Sequence, residues 1–319
     1  MAEHFFSDRI YSPFSSYIIS EQNKPYLIAE IGLNHNKDIE LAEKMILAAK
    51  KAGANAVKFQ SYSTENFINK EVKSANGLFE IFKKYELSYE DHLQLKECAD
   101  NASIDFISTP LSVDWVQKLF ELKVPYFKIA SGDINNYILL KQIVRYNTPV
   151  IVSTGNTFME DIENNRAFLQ LSNKKDAVYL HCISVYPAPS NNLNLATIPY
   201  LKKKLNSLVG FSDHSLGSLA PFGAVMLGAA IIEKHFTLDK KLPGPDHSMS
   251  INPEELSDVR SKIDEAFEMR GSCRTEPLYE ESASDEMGKR SIYMIDGKME
   301  ALRPRQKGYP RDSDYFNIF

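Results

Sequence analysis

Apolar positions in this chain come in short runs of β-branched and aromatic residues. Each run is followed by a polar or glycine-bearing turn and then by a stretch with helical spacing. Eight runs are predicted as strands: PYLIAEI (25–31), NAVKFQS (55–61), IDFIST (104–109), PYFKIAS (125–131), TPVIVST (148–154), AVYLHC (177–182), SLVGFS (207–212) and AAIIEKHF (229–236). The intervening stretches carry helix signals. In DIELAEKMILAAKKAG (38–53), Leu41, Met45, Ala48 and Ala49 fall on one stripe and Gly53 stands after the helix end. Strands alternating with helices predict a parallel sheet, and eight repeats predict an α/β fold closed as a (β/α)8 TIM barrel over residues 25–280. A short N-terminal extension (1–24) precedes it and a short C-terminal arm (281–319) follows. A doubly wound open sheet is the competing fold, but no G-x-G-x-x-G follows the first strand. Residues 63–87 make an over-long connection after the second strand and are expected to act as a lid.

Composition narrows the function. With 319 residues, 43% of them hydrophobic and 25% charged, the chain has the balance of a soluble globular protein with a large core. No apolar run approaches the roughly 18–20 residues that span a bilayer, and the N-terminus lacks the basic-then-apolar order of a secretory signal. A net charge of −5 with dispersed Lys and Arg argues against nucleic acid as a partner. Cys98, Cys182 and Cys273 have no C-x-x-C spacing, so free thiols in a reducing cytoplasm are expected.

Polar residues gather where the apolar runs stop: Glu30, Lys58 and Gln60, Thr109, Lys128 and Ser131, Ser153, His181, Ser212 and His214, Lys234 and His235. In a barrel these positions lie at the C-terminal face, where active sites are built. One polar residue at a strand end usually just turns to solvent, but eight strands sharing the habit point to a site. Lys58 and Lys128 are embedded in apolar strands, where an unpaired charge is costly, so an anionic ligand is expected to neutralise them with the help of the hydroxyls. His214 and His235 end neighbouring strands about 4.8 Å apart and are candidates to converge on one metal ion, a hydrogen-bonded pair without metal being the alternative.

The ordered motifs LIAEIGLNHN, GANAVKFQ, FISTPLS, PYFKIASGDINN, PVIVSTGN, HCISVYPAP, VGFSDHSLG, EKHFTLDKKLPGPDHSMS and INPEEL, from about residue 25 to 270, resemble the catalytic barrel of the sialic acid synthase family. That family comprises N-acetylneuraminate synthase and its legionaminic, pseudaminic and spore-coat relatives. The resemblance implies condensation of phosphoenolpyruvate with the open-chain aldehyde of N-acetylmannosamine or a related 2-acetamido sugar, giving a nine-carbon 2-keto acid and phosphate. It implies a divalent metal, Mn with Mg or Co as alternatives, on His214 and His235. It assigns Lys58, Thr109, Lys128, Ser131, Ser153, Ser184 and Ser212 to phosphoenolpyruvate, and Gln60, Asp133, Tyr186 and Asp246 to sugar hydroxyls. Glu30 matches the carboxylate near the reacting carbons, expected to orient or deprotonate the attacking water, with a salt bridge to Lys58 or Lys128 as the plainer role.

Departures from the family pattern bear on specificity. Asp133 stands where many bacterial members carry Glu, and Ser184 where some carry Asn. Past the barrel, residues 281–319 resemble the first part of the family's antifreeze-like domain with a segment missing. Arg303 in LRP is the candidate for the arginine that domain delivers across a homodimer, and a decayed tail is the alternative. A phosphosugar synthase of the same barrel superfamily and a non-catalytic sugar-binding barrel are the competing functions.

Overall fold

The computed structural model describes residues 6–306 and 310, and contacts divide the chain into two compact units, Met1–Arg270 and Gly271–Phe319. The first unit opens with two short antiparallel strands, β1 (Arg9–Ile10) and β2 (Ile19–Ser20). Eight parallel strands follow: β3 (Tyr26–Gly32), β4 (Ala56–Ser61), β5 (Asp105–Pro110), β6 (Phe127–Ile129), β7 (Val150–Ser153), β8 (Ala177–Cys182), β9 (Leu208–Asp213) and β10 (Ile231–His235). They pair in chain order and β10 closes on β3, making the expected (β/α)8 barrel.

Alternation along each strand separates two cores. Outward residues such as Leu27, Val57, Phe106, Val152 and Ile232 pack under the helices, while Ile28, Ala56, Ile107, Tyr126, Ile151, Leu180 and Ile231 fill the interior. The N-terminal extension belongs to that interior. Ile10 and Ile19 join the inner cluster, with Tyr17 packed against it, and Ser15 Oγ and Tyr26 Oη each donate to Asp105 Oδ2 at 2.5 Å. Residues 6–20 thus seal the N-terminal end of the barrel, which leaves the C-terminal end as the open one.

The helix Ile39–Lys51 begins where Asp38 accepts a hydrogen bond from Leu41 N, and Lys50 and Lys51 suit its C-terminal dipole. It buries Ala42, Met45, Ile46 and Ala49, one position round from the predicted stripe, so Leu41 and Ala48 border the contact. Residues 63–87 are largely helical (Thr64–Phe67, Asn76–Tyr85) and share a small core in which Leu33, Tyr62 and Tyr85 meet Phe67, Phe82 and Leu111. Glu86 Oε2 accepts from both Thr64 N and Thr64 Oγ1, tying the two ends of this excursion together.

The second unit contains the antiparallel pair β11 (Ser291–Ile295) and β12 (Lys298–Leu302), joined through Asp296 and Gly297 at φ 49° and 74°. That is the Asp-Gly signature of a tight hairpin.

Candidate active site

Above the apolar interior, the next inward position of every barrel strand is polar or a thiol: Glu30, Lys58, Thr109, Lys128, Ser153, Cys182, Ser212 and Glu233. All eight are buried, and all line a cavity of about 250 Å³ at the C-terminal end. A larger hollow of 430 Å³ opens beside Phe6, Pro199 and Leu208, but it lies away from the polar ring, and the Lys202–Glu21 ion pair on its lining is half-exposed. Convergent chemistry, not volume, selects the smaller cavity.

Lys58 Nζ lies 2.8 Å from Glu30 Oε2 and 3.7 Å from Glu233 Oε2, and Lys128 Nζ lies 3.7 Å from Glu233 Oε1 and donates to Ser153 Oγ at 2.6 Å. Ser212 Oγ donates to Glu233 Oε1 at 2.9 Å. The two carboxylates therefore differ. Burial opposes ionisation of Glu233, but Lys128, Lys58 and the Ser212 hydroxyl together hold its pKa down to about 2. Glu30 has one close cation; burial outweighs Lys58, and the charge on Glu233 adds to burial, raising its pKa to about 7. Burial lowers Lys128 in spite of Glu233, whereas Glu233 and Glu30 overcome burial to raise Lys58. Glu30 can thus exchange a proton near neutral pH beside a charged Lys58.

Ser131 follows β6 in a 3-10 turn (Ser131–Asp133), its hydroxyl accepting from Gly155 N at 2.8 Å and reaching the Cys182 sulfur. Ser131, Ser184 and Tyr186 line the cavity with the inward ring. Hydroxyls and two ammonium groups thus converge on one small space, where Glu30 and Glu233 already stand opposite the two charges.

His214 and His235 meet as expected, with ring centroids 5.6 Å apart. His214 Nδ1 donates to Ile183 O at 2.7 Å, which leaves Nε2 with its lone pair. Burial lowers the pKa of both, with the neighbouring His214 adding to the effect on His235, whose value falls to about 3. His235 Nδ1 is buried and unpaired among the described residues. Two neutral imidazoles with unused nitrogens fit a divalent cation. No group of three or more His, Cys, Asp or Glu is gathered to hold one among the described residues. Tyr186 lies over His214 with ring centroids 4.1 Å apart and a 34° tilt, and meets His235 edge-on at 6.0 Å, forming a wall beside the pair.

Gln60 Nε2 donates to Glu30 Oε1 at 3.3 Å. Gly32 sits at φ 54° after a break in the β3–β4 register, and a Cβ there would stand 3.5 Å from Gln60 Nε2, 3.5 Å from Asp246 Oδ2 and 3.3 Å from Glu30 Oε1. The left-handed backbone calls for glycine, and these three side-chain ends stand within contact distance of it. Asp133 is half-buried and its carboxylate accepts from Asn136 Nδ2 at 3.0 Å; Gly132 and Ser131, not Asp133, line the cavity. Arg303 is exposed, just past β12 in the second unit.

Two expected strand-end residues turn away from the site, because alternation sends every second side chain outward. Lys234 Nζ pairs with Asp213 Oδ2 at 2.6 Å and with Ser215 O at 2.6 Å. His181 Nε2 bonds to Leu193 O at 2.7 Å while its ring stacks on Phe211. Their inward neighbours, Glu233 and Cys182, are the ring members missing from the sequence reading. Period two, counted back from His235 and on from Leu180, identifies both.

Residues 45–275 match the NeuB family. The chain belongs to the NeuB family. The N,N'-diacetyllegionaminic acid synthase of Legionella pneumophila is 38% identical over 281 residues, covering 84% of this chain and 79% of its own. The N-acetylneuraminate-9-phosphate synthase of Drosophila melanogaster is 38% identical over 248 residues, covering 75% and 67% respectively. The crystal structure of the N-acetylneuraminic acid synthetase of Leptospira borgpetersenii in complex with citrate matches with a TM-score of 0.82 and 35% identity, over 88% of this chain and 96% of that one. These NeuB relatives are named for different products, so membership alone does not choose the sugar. No helix among the described residues is long and apolar enough to cross a membrane.

Proposed function

We propose that this chain condenses phosphoenolpyruvate with the open-chain aldehyde of a 2-acetamido sugar, giving a nine-carbon 2-keto acid and phosphate. The observation that carries the reading is the juxtaposition of two buried lysines and a set of hydroxyls with a pair of neutral imidazoles in one 250 Å³ cavity. One part suits a phosphate and a carboxylate, the other a carbonyl oxygen. Relatives named as sugar-acid synthases supply the reaction class.

Lys58 and Lys128 would take the phosphate and carboxylate as point charges, with Thr109, Ser131, Ser153 and Ser184 donating from their hydroxyls and Ser212 joining them only on giving up its bond to Glu233. Held so, the enol carbon faces His214 and His235. A divalent cation on those two, Mn by preference and Mg or Co otherwise, would supply Lewis acidity towards the aldehyde oxygen. The enol carbon forms the new bond to the aldehyde carbon, whose oxygen takes a proton from water to become a hydroxyl. Water then adds to the cationic carbon that carried the enol oxygen. Glu30, titrating near 7, orients this water and accepts its proton. The C–O bond to phosphate then breaks, and phosphate leaves with the proton of the new hydroxyl, giving the ketone. Gln60, Tyr186 and Asp246 would receive the sugar hydroxyls, and Asp133, outside the cavity lining, would do so only where the sugar extends past Ser131 and Gly132.

The protein is further proposed to act as a homodimer in which Arg303 from the C-terminal arm contacts the sugar. Incubation with phosphoenolpyruvate, Mn and a panel of 2-acetamido sugars, with mass spectrometry of the products, tests the reading. A nonulosonate from at least one sugar is expected, and unreacted sugar throughout contradicts it.

A further inference from the structure

After β10 the chain leaves the barrel at Phe236 and returns at Ile251, and these two residues lie side by side in a parallel bridge. Phe236 N donates to Glu30 O at 2.7 Å, Thr237 N to Ile251 O at 2.9 Å, and Ile251 N to His235 O at 2.8 Å, so residues 237–250 form a loop with a closed neck. The residue at that neck is Asn34, from the turn after β3 and fully buried. Its Nδ2 donates to Phe236 O at 2.9 Å, where the loop departs, and to Ser250 Oγ at 2.8 Å, where it returns. Ser250 Oγ passes its own hydrogen to Asp246 O at 2.6 Å, and Ser250 N reaches the same oxygen at 3.2 Å. Within the loop, Thr237 Oγ1 and His247 Nδ1 are 2.7 Å apart, bracing the residue next to Asp246.

These bonds form one path from Asn34 through Ser250 to the backbone of Asp246, whose carboxylate borders the spot left open by Gly32 beside Gln60 and Glu30. Phe236 O can only accept and Ser250 has spent its single hydrogen, so both amide hydrogens of Asn34 are committed. Among the described residues no other side chain donates to both ends of the loop.

We propose that Asn34 is a positioning residue: by joining the two ends of loop 237–250 it sets where the Asp246 carboxylate stands, and so tunes recognition of the sugar. The part concerning the sugar rests on the role proposed above for Asp246. Asn34 touches no substrate in this scheme.

Asn34→Asp keeps the side chain's shape and removes both donated hydrogens. The first readout is hydrogen–deuterium exchange, which needs no activity: amides of residues 237–250 are expected to exchange about tenfold faster, with the barrel strands unchanged. The second is kinetic. Sugar kcat/KM should fall about tenfold while KM for phosphoenolpyruvate stays within about twofold, and the same change in an Asp246→Asn background should cost less than about twofold more. Unaltered loop exchange, or a full further loss in that background, overturns the proposal. Faster exchange with unmoved sugar kinetics upholds the anchor and removes Asp246 from the sugar site. Should Asn34→Asp fail to fold, Ser250→Ala breaks the same path at its second link and is read in the same way.

Discussion

Glu233 and Lys128 come from strands on opposite sides of the barrel, β10 and β6, yet their charged groups stand 3.7 Å apart across its centre. Glu233 also stands 3.7 Å from Lys58, so one carboxylate serves both cations of the anion receptor before any ligand arrives. Glu233→Gln should therefore lower stability by about 3 kcal/mol, since breaking a buried ion pair leaves charge uncompensated. Added phosphoenolpyruvate should restore much of that loss by supplying the missing anion. Thermal unfolding with and without the ligand reads both effects, and a ligand-free variant as stable as wild type would refute this role.

His214→Ala or His235→Ala should leave the fold intact and abolish metal-dependent turnover, because each removes one of the two imidazoles available to the ion. Calorimetric titration with Mn should show binding to the wild type and none at comparable concentration to either variant. Wild-type Mn affinity in both would remove the metal from this position.

Burial holds His35 and His92 at pKa values near 4 and His235 near 3, all below the unfolded value of 6.5. Each contributes stability that is complete above 6.5 and is lost as pH falls from there toward its folded value. Glu30 works in the opposite sense. Raised to about 7, it favours the folded state fully below its unfolded pKa of 4.5 and loses that contribution as pH rises through 7. Near pH 5.5 these imidazoles, together with His181, His214 and His247, which burial also lowers, outnumber the carboxyl, so unfolding takes up protons and stability falls on acidification. Urea unfolding of the metal-free protein at pH 7 and pH 5.5 checks the sign; equal or greater stability at pH 5.5 would contradict it.

Arg303→Ala should raise KM for the sugar and lower kcat while leaving KM for phosphoenolpyruvate nearly unchanged, since the anion receptor is built wholly from barrel strands and their loops. Initial rates with each substrate varied in turn make the comparison. Unchanged sugar kinetics would mark the C-terminal arm as dispensable.

The barrel was legible because each strand is a short β-branched run bounded by turn residues, as in PVIVST or LIAEI. Lys58, Thr109, Lys128, Ser153 and Ser212 were legible for a related reason: each is the first inward polar residue above an apolar one. Lys234 and His181 were placed at the mouth because strand ends were read as clusters, whereas the backbone sends neighbouring side chains to opposite faces. Glu233 is the other half of that error. The sealing of the barrel floor by Ile10 and Ile19 left no local signal, since a pair of two-residue strands has no periodicity to read. Asn34 is similar. Its partners Phe236 and Ser250 are 202 and 216 positions away, and only closure of β10 on β3 brings them to it.

The most direct measurement is phosphate release from phosphoenolpyruvate by the purified protein with Mn, in the presence and absence of N-acetylmannosamine or the best sugar of the panel. Release that requires both sugar and metal, with one phosphate per nonulosonate formed, is the expected result. Sugar-independent release, or none with any 2-acetamido sugar under metal saturation, would contradict the proposed condensation.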